Sequence, residues 1–162
     1  MSKNNVQIDK KQKITTMERV FDAPRELLWK AHTNPKLIPQ WWGPRDSEAV
    51  VEKMEVRVGG EWRYIHKGKD EKGQPVEYAF YGVYKEIKEP ESLTWTFNFE
   101  PIGPGHEITE TVYFDDLGDG KTKLRTVSHY LSIEDLEGMV QSGMEDGATQ
   151  TWDRLEELAK TL

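Results

Sequence analysis

The 162-residue chain contains no cysteine, which excludes disulfides, thiolate metal sites and thiol catalysis. It also has no run of about 18 apolar residues, the length a membrane-spanning helix requires. The polar stretch from Met1 to Lys13 lacks the apolar core of a signal peptide. A cytoplasmic protein without membrane insertion is therefore expected. Positive charge is scarce as well: 22 Lys and Arg stand against 29 Asp and Glu, for a net charge of −7. A phosphate backbone is bound by a concentrated basic face, and with none visible, nucleic acid is not an expected partner. Nucleophilic catalysis lacks a Gly-x-Ser-x-Gly elbow. The four histidines, His32, His66, His106 and His129, show no ligand spacing and no His-Glu-x-x-His. Neither a metal nor a cofactor is expected.

What the chain does have is aromatic residues and alternation. Six Trp, six Tyr and five Phe are enough to wall a cavity as well as fill a core. Residues 1–13 show little periodicity and read as a flexible leader, and one domain is expected over 14–162. Ile14 to Phe21 reads as a strand. Asp22-Ala-Pro24 then opens a helix with Leu27, Leu28 and Ala31 on its apolar face and Trp29 beside it. In Asn34 to Pro44, Asn34 is a candidate cap, Pro35 suits a first helical turn and Gly43-Pro44 a stop. Trp41 and Trp42 would then sit on a very short helix that covers something apolar, as a gate or as a plug.

From Glu48 onward, period-two segments are separated by Gly, Pro and Asp. Six strands fit: 48–58, 60–67, 76–87, 92–99, 106–117 and 121–130. No long crossover separates them, so antiparallel pairing is expected. Helical spacing returns at Leu136, Val140, Met144, Ala148, Trp152, Leu155, Leu158 and Leu162. Ser132 with Asp135 and Ser142 with Glu145 have the form of capping boxes, which predicts helices over 133–141 and 143–161. Gly143 and Gly147 fall on one side of the longer helix, either to let backbone approach the sheet or to leave room for a ligand.

Alternation also sorts the side chains by face. One face carries Met54, Val56 and Val58; Trp62, Tyr64 and His66; Phe80, Gly82 and Tyr84; Leu93, Trp95, Phe97 and Phe99; Ile108, Glu110, Val112 and Phe114; and Leu124, Thr126 and Ser128. Apolar residues mixed with a few convergent polar groups suit a small-molecule pocket. The same set also suits an ordinary core with satisfied hydroxyls.

The β-α-α-β6-α order resembles the helix-grip fold of the START and Bet v 1-like superfamily. The words Phe21-Asp-Ala-Pro-Arg-Glu26, Thr33-Asn-Pro35, Gln40-Trp-Trp-Gly-Pro44, Val56-Arg-Val-Gly-Gly60, Gly82-Val-Tyr-Lys-Glu-Ile87, Ser142-Gly-Met-Glu-Asp-Gly147 and Trp152-Asp-Arg-Leu-Glu-Glu-Leu158 look like the Hsp90-ATPase-activator-homologue-1-like family. The match runs from about Ile14 to Leu162. The resemblance implies an α+β fold, a curved seven-stranded antiparallel sheet wrapped around a long C-terminal helix with a cavity between them.

Three functions fit that implication. The first is binding of a small hydrophobic or amphipathic molecule, without catalysis, in a cavity lined by Trp41, Trp42, Met54, Val56, Trp62, Tyr64, His66, Phe80, Tyr84, Trp95, Phe97, Val112, Phe114, Met144, Ala148 and Trp152. The second is a polyketide cyclase-like enzyme, with His66 or Glu110 moving protons. The third is a protein-interaction role with a chaperone such as Hsp90. Monomer and homodimer both remain open. His32 and His106 are expected at the solvated surface, and Asp115, Asp116 and Asp119 in a solvated turn.

Overall fold

The period-two runs become strands in the computed structural model of the protein, which describes residues 4–162. Among these residues eight strands form one sheet: β1 (Asn5–Asp9), β2 (Ile14–Phe21), β3 (Glu48–Met54), β4 (Glu61–Lys69), β5 (Pro75–Lys88), β6 (Ser92–Phe99), β7 (Ile108–Gly118) and β8 (Lys121–His129). Their order is β1-β2-β8-β7-β6-β5-β4-β3. Every neighbouring pair is antiparallel. Short turns make β3 to β8 a meander, and β2 joins its end by pairing with β8.

The sheet has one strand more than the seven expected. Asn5–Asp9, read as part of a flexible leader, pairs with β2 in register from Asn5 opposite Glu18 to Asp9 opposite Ile14. Its side chains are mostly exposed, so hydrophobic alternation could not reveal it. Main-chain hydrogen bonding to an open edge defines this strand.

Three α-helices cover one face: α1 (Arg25–Thr33), α2 (Ile133–Gln141) and α3 (Met144–Ala159). The Ser132 hydroxyl accepts the Asp135 N–H at 3.0 Å and caps α2 as its sequence predicts. Ser142 departs from expectation. It ends α2, donating to the Met139 carbonyl at 2.6 Å. The residue before α3 is Gly143, at φ 85°, a left-handed conformation that favours glycine.

α3 divides into two halves. Trp152, Leu155 and Leu158 of its C-terminal half are buried with Phe21, Leu28, Leu93, Phe114 and Leu124 in the main core. Met144, Gly147, Ala148 and Thr151 of its N-terminal half stay partly open. A small second cluster, Ile108, Tyr130 and Leu136, joins α2 to the sheet. The region between these two packed zones holds the cavities.

Candidate functional site

The segment between α1 and β3 is the first part of the site. Asn34 ends α1, and its side chain accepts the Lys36 N–H at 2.9 Å. The expected short helix shrinks to a single 3-10 turn, Ile38–Gln40, so Trp41 and Trp42 follow it rather than lie on it. Their environments differ. Trp41 is 5% exposed, donates its indole N–H to the Ala31 carbonyl at 2.9 Å and packs 4.8 Å from the His32 ring. Trp42 is half-buried and meets Tyr64 and Phe80 edge-on at 5.3 and 5.2 Å.

α3 holds this loop in place. The Arg154 guanidinium donates to the carbonyls of Gly43 at 2.9 Å, Pro44 at 3.1 Å, and Trp42 and Pro39 at 3.5 Å. Arg45 pairs with Glu157, and its backbone N–H donates to Gln150 at 3.2 Å. Loop carbonyls left over by the short turn thus find donors on the helix.

Two adjoining cavities lie behind the loop. The inner one, about 290 Å³, is walled by Trp41, Trp62, Trp95, Val112 and Trp152, with His32, Tyr64, Tyr84, Glu110 and Thr126 as its polar groups. The outer one, about 710 Å³, runs between the ends of β4 to β7 and the α2–α3 corner, bordered by His66, Phe80, Phe99, Ile108, Met139 and Gly147. Trp42, Gly43, Phe97, Ala148 and Thr151 line both. These volumes fall near or within the roughly 300–1,000 Å³ usual for small-molecule sites.

Glu110 is the inner carboxylate. The Trp95 indole N–H donates to one of its oxygens at 3.0 Å and the Ser128 hydroxyl to the other at 3.0 Å. Burial raises its pKa, and these two donors oppose the rise. Burial pushes Tyr84 up to about 12 and Tyr64 well above the usual phenol range, so both remain protonated hydroxyls. His66 borders the outer cavity, with its pKa lowered by burial.

Of the sixteen residues expected around the cavity, most meet there. Trp41, Trp62, Tyr64, Tyr84, Trp95, Val112 and Trp152 line the inner chamber; His66, Phe80 and Met144 line the outer; and Trp42, Phe97 and Ala148 line both. Met54, Val56 and Phe114 line neither. Phe114 is fully buried against Trp29 and His32. β3 contains a bulge between Val51 and Lys53 and stops at Met54, whereas simple alternation carries it to Val58. Residues beyond Met54 turn sharply toward Gly60, leaving Val58 64% exposed.

The family model described as activator of Hsp90 ATPase homolog 1-like protein matches residues 22–160. The chain belongs to the activator of Hsp90 ATPase homolog 1-like family. Among solved structures it is similar to protein Ms6760 from Mycobacterium smegmatis, at 26% identity and a TM-score of 0.82 over 95% of this chain and 94% of that one. An Arthrobacter aurescens protein matches at 23% identity and a TM-score of 0.85, covering 98% and 92%. A Rhodobacter sphaeroides protein matches at 20% and 0.83, covering 100% and 99%. These last two likenesses concern the fold alone. No curated protein matches.

In this member of the activator of Hsp90 ATPase homolog 1-like family, the site residue missed from sequence is His32. Expected at the solvated surface, it is 8% exposed and lines the inner chamber. Its Nδ1 lies 2.8 Å from the Leu28 carbonyl, and burial lowers its pKa to about 4. The signal was present in the spacing: Leu28, Ala31 and His32 share one helical face. Met17, Ile38 and Thr151 also line the inner chamber. His106, by contrast, is 43% exposed through its side chain and pairs with Asp135 at 2.8 Å on the rim of the outer chamber.

Proposed function

We propose that the protein is a non-enzymatic carrier or sensor that holds a small hydrophobic or amphipathic molecule between the sheet and the N-terminal half of α3. The observation that carries this is the pair of adjoining, aromatic-walled cavities, which remain open although the rest of the α3 face is tightly packed. Protein interiors ordinarily close voids of this size, because unfilled space forfeits dispersion contacts. An apolar cavity kept open by a loop clamped to α3 suits a ligand site.

Acid–base chemistry of the cyclase kind has less support. His66 borders the outer chamber alone and Glu110 the inner chamber alone, so they do not face a substrate atom as a pair in one chamber. Each Glu110 oxygen also already accepts one hydrogen bond from the protein.

Native mass spectrometry of protein purified from its host, together with titration of tryptophan fluorescence against a lipid and aromatic library, tests the proposal. Trp41, Trp42, Trp62, Trp95 and Trp152 line the cavities, so occupancy should change the emission saturably. No retained mass and no saturable change across the library would overturn it.

A further inference from the structure

The two chambers share a one-sided electrostatic character. Glu110 lines the inner chamber, Glu134 and Asp135 border the outer one, and among the described residues no Lys or Arg lines either. Arg154 lies beside the chambers, but its guanidinium is taken up by backbone carbonyls of the loop. An anion entering the inner chamber would lose its hydration, meet no Lys or Arg and approach Glu110, whose two carboxyl oxygens both accept hydrogen bonds as those of a carboxylate do. Burying an unpaired charge beside a like charge is among the most unfavourable arrangements a protein can offer a ligand.

Among the hydrogen-bonding groups, the Tyr64, Tyr84 and Thr126 hydroxyls can donate or accept, whereas His32 and Glu110 offer acceptors. The Leu28 carbonyl can only accept, so the 2.8 Å contact assigns the proton to His32 Nδ1. That leaves Nε2 as an acceptor, and it has no hydrogen-bond partner among the described residues. The ring stays neutral because burial lowers its pKa to about 4. Each Glu110 oxygen receives one donor from the protein and keeps a further lone pair for a ligand. The chamber thus holds two unsaturated acceptors.

Resting on the ligand-binding proposal above, we infer that this cavity selects molecules whose polar end donates hydrogen bonds and carries no negative charge, an alcohol or phenol rather than a carboxylic acid, with Glu110 as the selecting residue. A hydroxyl can donate to either acceptor. A carboxylate cannot, and among the described residues no Lys or Arg lines either chamber to balance its charge.

The test compares 4-phenylphenol with biphenyl-4-carboxylate, which share one hydrocarbon frame, by isothermal titration calorimetry at pH 7.5. The phenol is expected to bind at least tenfold more tightly than the carboxylate. In Glu110→Gln, which removes the charge but keeps an amide for Trp95 and Ser128, the ratio should fall severalfold, chiefly through gain of acid binding. Equal or tighter binding of the carboxylate to the wild-type protein would overturn the inference while leaving the ligand-binding proposal standing. A ratio unchanged in folded Glu110→Gln would overturn the assignment to Glu110. Failure of both probes to bind would count against ligand binding itself and take the inference with it. The wild-type comparison needs no variant, so it remains decisive if Glu110→Gln does not fold.

Discussion

Two neighbouring indoles, Trp41 and Trp42, occupy positions of opposite character, and each yields its own expected outcome. Trp41 is almost fully buried and hydrogen-bonded through its N–H. Trp41→Ala should cost about 3–5 kcal/mol in urea denaturation, the range for large buried aromatic truncations. Trp42 is half-buried, with two edge-on aromatic contacts, and borders both chambers. Trp42→Ala should cost only about 1–2 kcal/mol yet change ligand affinity more than Trp41→Ala does. Equal stability losses for the two variants would contradict this difference in burial. His32 supplies a prediction about pH. Its folded pKa of about 4 lies below the ordinary 6.5, so the unfolded chain binds the extra proton between those values. Stability from His32 is therefore intact above about pH 6.5 and declines as pH falls toward 4, by up to about 3 kcal/mol. Glu110, with its pKa raised by burial, acts in the opposite sense: its charging weakens the fold as pH rises above the ordinary carboxylate range. The His32 part is isolated by comparing wild type with His32→Phe at pH 7 and pH 4.5. The stability of wild type relative to His32→Phe should fall at the lower pH, and a constant difference would refute it.

At the scale of elements, glycines separate tight contacts from open space. A Cβ on Gly82 of β5 would sit 1.8 Å from the Thr96 carbonyl oxygen and 2.7 Å from the Trp62 indole nitrogen. Gly82→Ala must push β5 from β6 and break the 3.2 Å hydrogen bond from Trp62 to Thr96. A loss of several kcal/mol in thermal or urea unfolding is expected, and a neutral result would show that the strands separate without cost. Gly138 and Gly147 are the reverse: within α2 and α3, an added Cβ meets nothing within 4 Å. Alanine at each should stabilise by about 0.5–1 kcal/mol through lower backbone entropy in the unfolded chain, checked in the same denaturation experiment. Open space beside Gly147 also rules out a close backbone approach there, one of the two roles that its spacing allowed. Elements such as these show what alternation can convey. β6 appears at its expected limits because it has neither bulge nor kink before Phe99. β3 does not, because after its bulge the chain leaves the sheet at Met54 and turns toward Gly60, although Met54 and Val56 still pack on the core. β1 escaped notice because edge pairing needs no hydrophobic pattern. The short helix at Trp41 contracted to one turn because α1 claims Asn34 as its end.

At the scale of the whole molecule, the sheet and α3 meet tightly at one end and leave the chambers at the other, which no single segment of sequence could disclose. Thirteen of the sixteen expected cavity residues reach a chamber, since strand parity and helical spacing fix which face a side chain joins. How far α3 stands from that face depends on packing across elements distant in the chain. His32 entered the inner chamber by that route, through the seating of α1 against β7 and the Trp41 loop. Ala148 tests whether the open end serves function or only tolerates poor packing. It lies on α3 and lines both chambers, which places it at their junction. Ala148→Phe places a ring in that junction without altering Glu110, His32 or the Arg154 clamp. If the chambers are a ligand site, the variant should melt at or above the wild-type temperature, because added apolar surface replaces a void. Mass retained in native mass spectrometry should meanwhile disappear and the fluorescence titration flatten. A folded Ala148→Phe that binds as wild type does would place the ligand elsewhere. A strongly destabilised variant would mean that the junction is already packed, and that the chambers do not communicate through it.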